Sequence, residues 1–526
     1  MPSKLPDSMH WQIYQAYLSG PHALFRLFED AYGRGALHDP PDPDHQQQQI
    51  NELSAHISRL TAQIEKLRAE VSQLRGRNFQ LGRRNAELEA LSTKDSHNSS
   101  RPPSTDPPWT KRTRSLRRPS GRPPGGQTGH RGETLRLAPH PHRIVEHRPQ
   151  ECRGCHVPLS SAQVVRHLRQ QVIEVVPARL RVTEHRLAVA RCHACGRTTQ
   201  GEFSGGVRSG VQYGPGVKAR VLYLQQYQLL PYQRTSEAMR DLFGCQLSAG
   251  TVANIIRECA SGLVETELQI KQGLRRSSVI HADETGLRIN GRLGYVHVAS
   301  TPRLTHYASA AHRGQTAITE INVLPGYRGT CVHDGWLAYT HYTRCQHALC
   351  GVHLLRELTY FAELSAQTKA WAAPLKELLL EMKREVERVK EEGGRQLDQQ
   401  RLVSLIESYD HLVAAGLRAQ PPPELPQQVC KQARNLLLRL ERRKEEVLRF
   451  LVGFSVPFDN NQAERDLRMI KLQQKTSGCF RTQDGAHRFC RIRSYLSTTR
   501  KQGRGVLRAL ESACRGTPLS VRKRTG

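Results

Sequence analysis

Two short apolar runs, "SSVIHAD" and "GTCVHD", end in an acid and lead shortly into glycine, which places Asp283 and Asp334 where strands end. Strand ends are where open α/β sheets present ligands. Either aspartate alone can simply cap a loop. Two on neighbouring strands repel each other unless a cation lies between them. Mg²⁺ or Mn²⁺ suits such a pair, being hard and oxygen-seeking, with positions left for water and phosphate. Two such ions, roughly 3.5 to 4 Å apart, activate an attacking hydroxyl and stabilise the leaving oxygen of an in-line phosphoryl transfer. A third carboxylate completes that kind of site, and two glutamates compete for the role. Glu357 lies 23 residues after Asp334 and shares a helix face with His353, whereas Glu464 lies 130 residues on. The surroundings favour Glu464: Arg465 to Arg508 holds twelve Lys or Arg against two Asp, a net +10 suited to a phosphate chain.

The stretch "PFDNNQAERDLRMIK" around Glu464 reads as a helix start. Asp459 serves as N-cap with Gln462 as its reciprocal partner, Phe458 staples onto Ala463, and the helix begins at about Asn460. Ala463, Leu467 and Ile470 form the buried stripe. Asn461, Glu464, Arg468 and Lys471 share another face, where a Glu464–Arg468 pair on a solvated surface is the plainer account.

A second constellation is cysteine-based. Cys152 with Cys155 and Cys192 with Cys195 are two C-x2-C knuckles separated by 36 residues. Two such pairs close a tetrahedral structural Zn²⁺ site with no position left for catalysis, free thiols being the alternative. The segment between them reads as β-hairpin material.

These groups need elements to hold them. The chain has 526 residues, too many for one core, and an excess of 78 Lys and Arg over 48 Asp and Glu, +30. Such a surface collects polyanions, nucleic acid first. No apolar run approaches the roughly 20 residues of a membrane span and the N-terminus lacks a signal core, so a cytoplasmic protein is expected. Thirteen cysteines, an odd number and mostly scattered, argue against a disulfide framework.

From Ile50, Ile57, Ile64, Val71, Asn78 and Asn85 alternate with Leu53, Leu60, Leu67, Leu74, Leu81 and Leu88 in heptads. That pattern predicts a parallel two-stranded coiled coil, hence a homodimer or higher oligomer; a long helix packed on its own domain is the alternative. Arg101 to Arg131 follows, rich in Pro, Gly and Ser and carrying net +7, an extended spacer or a phosphate-neutralising arm. "LLPYQRTSEAMRDLFGCQLSAGTVANIIREC" predicts two short helices about Gly244. Thr235 caps the first, which buries Ala238, Met239 and Leu242; Ser248 caps the second, which buries Val252, Ile255, Ile256 and Cys259. Such a pair either presents its second helix to a major groove or only packs. From Ser277, three strands, a helix and a fourth strand predict an α/β domain with a mixed sheet, and helical periodicity fills the span before Glu464.

With these residues in view, the chain resembles the DDE transposases of the bacterial insertion sequence 66 family. The resemblance is carried by "HNSSRPPSTD", "GRPPGGQTGHRG", the two knuckles, "HADETGLRING", "VHDGWLAY", "HALCGVHLLREL" and "FDNNQAERDLRMIKLQQKTSGCFRT". It implies an RNase H-like catalytic fold interrupted by a helical insertion, with Asp283, Asp334 and Glu464 as the metal-binding triad. It also implies hydrolysis at the element's ends, attack of the freed 3′-hydroxyl on target DNA, and accessory proteins of the same element as partners. His353, in a family-like C-x2-H motif with Cys350, becomes an active-site neighbour, with a second zinc contact or core packing as plainer accounts. Asn461 and Arg468 become orienting residues for Glu464 or the DNA backbone.

The resulting layout is a segment of unclear role at 1–49, coiled coil 50–91, basic linker 92–150, zinc-binding domain 151–204 and helix-turn-helix-like region 205–265. The catalytic domain follows at 270–364 and 452–510 around an insertion at 365–451, with a basic tail at 511–526. The expected setting is the bacterial cytoplasm at the nucleoid. Two other functions use the same features: a dimeric zinc-containing DNA-binding regulator without catalysis, and a nuclease that cuts without joining. A zipper regulator carries its basic helix before the heptads, whereas here a proline-rich basic segment comes after them, which disfavours it.

Overall fold

The computed structural model describes residues 7–32, 43–92, 94–95, 97–99, 137–161, 163–175, 180–203, 207, 210–420 and 428–521. The basic segment expected at 101–131 lies outside them. The chain divides into two compact units, residues 1–89 and 90–526. The first holds α1 (Asp7–Leu18), α2 (Pro21–Tyr32) and all but the last three residues of the 50-residue α3 (Pro43–Ser92). Helix α3 runs unbroken through the heptads, and Ile50, Leu53, Ile57, Leu60, Ile64, Leu67, Val71, Leu74 and Leu81 are exposed along it.

The second unit is mixed α/β with a helical majority. It starts with a small hairpin, β1 (Val189–Arg191) and β2 (Thr198–Gln200). This corrects the expected hairpin in part: among the described residues, the segment between the knuckles supplies β1, but its partner β2 lies beyond the second knuckle. Val164, Val165, Val172 and Val175 are exposed, so their β-forming character finds no core to fold onto. Helices α4 (Pro215–Leu222), α5 (Tyr232–Phe243), α6 (Ala249–Gly262) and α7 (Val264–Arg275) follow.

The turn between α5 and α6 uses Gly244 at φ 63°, and Ser248 caps α6 by accepting the Thr251 N–H at 3.1 Å. Thr235 does not cap α5. The helix starts three residues earlier, so Thr235 is buried within it and donates to the Pro231 carbonyl at 3.0 Å. Leu242 is exposed, contrary to expectation, while Met239 is buried. The apolar face of α6 packs with Ile492, Tyr495, Leu496 and Leu510.

The sheet is built from β3 (Val279–Ile289), β4 (Arg292–Ser300), β5 (Thr305–Ala310), β6 (Thr330–His333) and β7 (Gln346–Leu349), with α8 (Gln315–Ile321) between β5 and β6. Its order is β5-β4-β3-β6-β7, antiparallel on the β5-β4-β3 side and parallel across β3-β6-β7. One face buries Ile280, Ala282, Ala299 and Leu304 with Ile270 and Leu274 of α7 and Ile318 of α8. Beyond β7 come α9 (Gly351–Leu364), α10 (Ala366–Glu391), α11 (Gln399–Ala419), α12 (Gln428–Arg442) and α13 (Lys444–Val452). They share their own apolar core around Trp371, Leu375, Met382, Tyr409 and Leu437. Next are α14 (Asn461–Ser477), α15 (Gln483–Lys501) and α16 (Val506–Cys514). The other sheet face, with Leu287, Ile289, Val296, Val298 and Tyr307, packs on Ala463, Leu467 and Ile470 of α14 and Phe489 of α15.

Candidate active site

Asp283 does not close its strand, as the sequence suggested; it lies inside β3, because β3 continues to Ile289 against β4. What ends beside it is β6. The parallel register pairs Val279 with Thr330, Ile280 with Cys331 and His281 with Val332. Continued by two residues, that register sets Asp283 opposite Asp334, just where β6 leaves the sheet. Adjacent strands lie about 4.8 Å apart, so the two acids are neighbours.

The loop after β6 is fixed from both sides. Asp334 accepts the Trp336 N–H at 2.9 Å, and His333 Nδ1 accepts the Gly335 N–H at 3.0 Å. That assigns the His333 proton to Nε2, which donates to His347 Nδ1 at 3.1 Å, and leaves His347 Nε2–H for the Tyr342 carbonyl at 3.2 Å. Burial holds His333 well below its ordinary value, with the His347 and Arg443 charges acting the same way, so the relay is neutral.

Glu464 is delivered by α14. Fully buried Asn460 precedes the helix and ties three elements together. Its Nδ2 donates to the Ala282 carbonyl at 2.8 Å, its Oδ1 accepts from His281 Nδ1 at 2.9 Å, and its backbone N–H reaches Cys350 Sγ at 3.2 Å. The expected cap is modified. Asp459 accepts the Asn461 N–H at 3.0 Å, but Gln462 donates to Asp466 instead of reaching back, and Phe458 packs edge-on to Phe450 instead of stapling onto Ala463. The Phe458 ring fills the space where Gly351 lacks a side chain; a Cβ there would run into it.

The three acids do not all close to within 4.8 Å of one another, but their charges act on one another. The half-buried Asp283 carboxyl is pushed well above its ordinary range, first by burial and then by the negative charges of Glu284, Asp334 and Glu464. Glu357 is engaged elsewhere, by Arg439 at 2.6 Å. His353 stands at the pocket: Cys350 Sγ, a His353 ring nitrogen and a Glu464 oxygen all lie within 4.8 Å of one another. His353 Nδ1 is buried with no hydrogen-bond partner. An acid pocket of this kind fits a divalent cation, since the repulsion that raises Asp283 is what a cation would relieve.

Arg468 is exposed and makes no ion pair with Glu464 among the described residues, while Lys471 donates to the Gly286 carbonyl at 3.1 Å. The cationic run is also partly internal. Arg493 is buried and donates to the Gln226 carbonyl, Arg491 pairs with Glu267, and Lys501 with Asp466. Arg465, Arg468, Lys471 and Lys475 of α14 remain at the surface.

One group escaped the sequence reading. Glu284 has a side chain only 1% exposed, yet it accepts from Tyr339 Oη at 2.6 Å and Arg313 Nε at 2.7 Å. Arg313 in turn stacks over Trp336 at 4.3 Å. The clamp ties β3 to the loop that carries Asp334. No spacing announces it, because its partners lie 29 and 55 residues away.

The four knuckle cysteines form two separate turns of the same design. Cys152 N–H donates to the Val157 carbonyl at 2.9 Å and Cys192 N–H to that of Arg197 at 2.8 Å; His156 and Gly196 take left-handed φ of 57° and 69°. Backbone N–H groups of Cys155 and Gly154 hold the Cys152 thiol below its ordinary value, as those of Cys195 and Ala194 do for Cys192. This is the donor set a metal-bound thiolate needs. No three of the four sulfurs lie within 4.8 Å of one another, so the knuckles are formed but not brought together.

No helix among the described residues is long and apolar enough to cross a membrane. The chain matches the model of the family described as "Transposase IS66 family" over residues 210–488, more than half of its length. Residues 40–136 match a family of unknown function, DUF6444. No curated protein matches the chain. The matched span contains the whole sheet, the acid pocket and α14, and the chain belongs to the IS66 transposase family.

Proposed function

We propose that this transposase cleaves the ends of its insertion sequence and joins them to target DNA, with Asp283, Asp334 and Glu464 as the catalytic acids. Two observations support this reading: the β3–β6 register, continued by two residues, sets Asp283 opposite Asp334, and the charges of Asp334 and of Glu464 from α14 both push the Asp283 carboxyl up. Two Mg²⁺ or Mn²⁺ ions, when bound, supply Lewis-acid chemistry for in-line phosphoryl transfer. The chain's own part is to hold the acids. Asn460 fixes the start of α14 against β3, the His333–His347 relay fixes the loop at Asp334, and the Glu284 clamp joins that loop to β3. Hydrolysis at an element end frees a 3′-hydroxyl, and attack of that hydroxyl on a target phosphodiester forms the new bond and expels the target strand's own 3′-oxygen.

The strand order β5-β4-β3-β6-β7, with three antiparallel strands followed by two parallel ones, supports an RNase H-like catalytic unit at 270–364 and 452–510. The apolar core that α10–α13 share with α9, Leu349 and Phe458 supports a helical insertion at 365–451. The exposed cations of α14 are offered to DNA, with Asn461 and Arg468 contacting the backbone. The exposed heptad seam of α3 serves dimerisation, and the lowered Cys152 and Cys192 thiols support Cys152, Cys155, Cys192 and Cys195 as the ligands of a structural Zn²⁺ that would draw the two separate knuckles together. Accessory proteins of the element act alongside. The test is to incubate the protein with labelled element ends, target DNA and Mg²⁺ and map the products. Joined molecules support a transposase, nicks without joining indicate a nuclease, and binding alone indicates a regulator.

A further inference from the structure

Cys350 caps α9, and His353 lies one turn into that helix. The sulfur and the imidazole therefore face the same side, where Glu464 meets them from α14. Three features set this group apart from ordinary packing. Three ligand atoms of different chemistry lie within 4.8 Å of one another. His353 Nδ1 is buried without a partner, a state that native interiors rarely tolerate. Finally, the Asn460 N–H is directed at Cys350 Sγ at 3.2 Å, the kind of donor that stabilises a metal-bound thiolate.

We propose that Cys350, His353 and Glu464 form a binding site for a thiophilic divalent cation of the Zn²⁺ class, beside the Mg²⁺ pocket and sharing Glu464 with it. Thiolate and imidazole select against Mg²⁺, which takes hard oxygen ligands, and in favour of Zn²⁺ or Co²⁺. On binding, the Cys350 thiol gives its proton to solvent. Thiolate and carboxylate then balance the two charges of the ion. Three protein ligands leave a fourth tetrahedral position for water. The site stands on these ligand atoms and does not require that Glu464 act in DNA cleavage.

The test is a Co²⁺ titration of the metal-stripped full-length protein beside its Cys350→Ser variant, read by absorption. The wild-type chain is expected to bind one equivalent more than the variant, with a correspondingly stronger sulfur-to-cobalt charge-transfer band that Zn²⁺ bleaches. His353→Gln, which preserves volume and leaves the thiol in place, should weaken that equivalent at least about tenfold, the scale of a lost ligand or its immediate support. Equal stoichiometry and equal charge-transfer intensity in wild type and Cys350→Ser would overturn the proposal. Should Cys350→Ser fail to fold, unchanged affinity in His353→Gln overturns it equally. Mg²⁺-dependent nicking of element ends, measured on the same samples, separates failure of this site from failure of the catalytic assignment.

Discussion

Asn460→Ala probes how the pocket is assembled. The side chain makes two buried hydrogen bonds, to His281 Nδ1 at 2.9 Å and to the Ala282 carbonyl at 2.8 Å, and its own exposure is 1%. Alanine leaves an imidazole N–H and a backbone carbonyl buried without partners, at about 1–3 kcal/mol each. The expected loss is thus about 2–6 kcal/mol, localised where β3 meets the start of α14. Because the chain has two units, a global unfolding curve would blur this effect, so amide hydrogen exchange is the suitable assay. Protection of β3 and the first turns of α14 should fall at least about 30-fold, at about 1.4 kcal/mol per tenfold, while α10–α13 stay protected. Asn460→Asp should be no better, since it restores an acceptor for His281 but offers the Ala282 carbonyl no donor and adds charge beside the acids. Unchanged protection in Asn460→Ala would refute the claim that this residue positions the pocket.

Three further outcomes follow from the electrostatics and the knuckles. Asp283 has a raised carboxyl, so its ionisation opposes folding as pH rises through its folded-state value; Asp283→Asn should therefore raise the exchange protection of β3 at neutral pH without metal and remove the added protection that Mg²⁺ gives the wild type. Protection that falls in this variant would count against a crowded acid pocket. Burial lowers His297 from 6.5 to about 4, and a lowered histidine contributes stability in full above pH 6.5 that is lost as pH falls toward 4, up to about 3 kcal/mol. Exchange protection of β4 should drop between pH 7 and 5 after correction for intrinsic exchange, and His297→Leu should flatten that dependence; an equal slope in both proteins would contradict it. Zinc analysis of Cys152→Ser and Cys192→Ser should each show one equivalent less than wild type, and full retention in either would exclude that cysteine as a ligand.

The sequence made some features readable because their cause is local. The Ala463, Leu467 and Ile470 stripe follows helical periodicity and packs as expected, and the apolar runs before Asp283 and Asp334 are strands side by side. Local cues failed where tertiary context decides. Strand β7 is four residues long and gives too brief a pattern to stand out, yet it completes the parallel side of the sheet. The valines between the knuckles, Val164, Val165, Val172 and Val175, have strand character but lie exposed. Asn460 looks like a polar residue at a helix start, and its partners His281 and Ala282 lie 179 and 178 residues away. Glu284 resembles a surface acid until Tyr339 and Arg313 are folded onto it.

Whether Asp283, Asp334 and Glu464 act together on DNA is tested by comparing the wild-type chain with Asp283→Asn, Asp334→Asn and Glu464→Gln on end-containing DNA in Mg²⁺. Each substitution should abolish nicking while leaving DNA binding, measured in the same samples, at the wild-type level. Wild-type nicking by any one of the three would remove that residue from the active site and contradict the account.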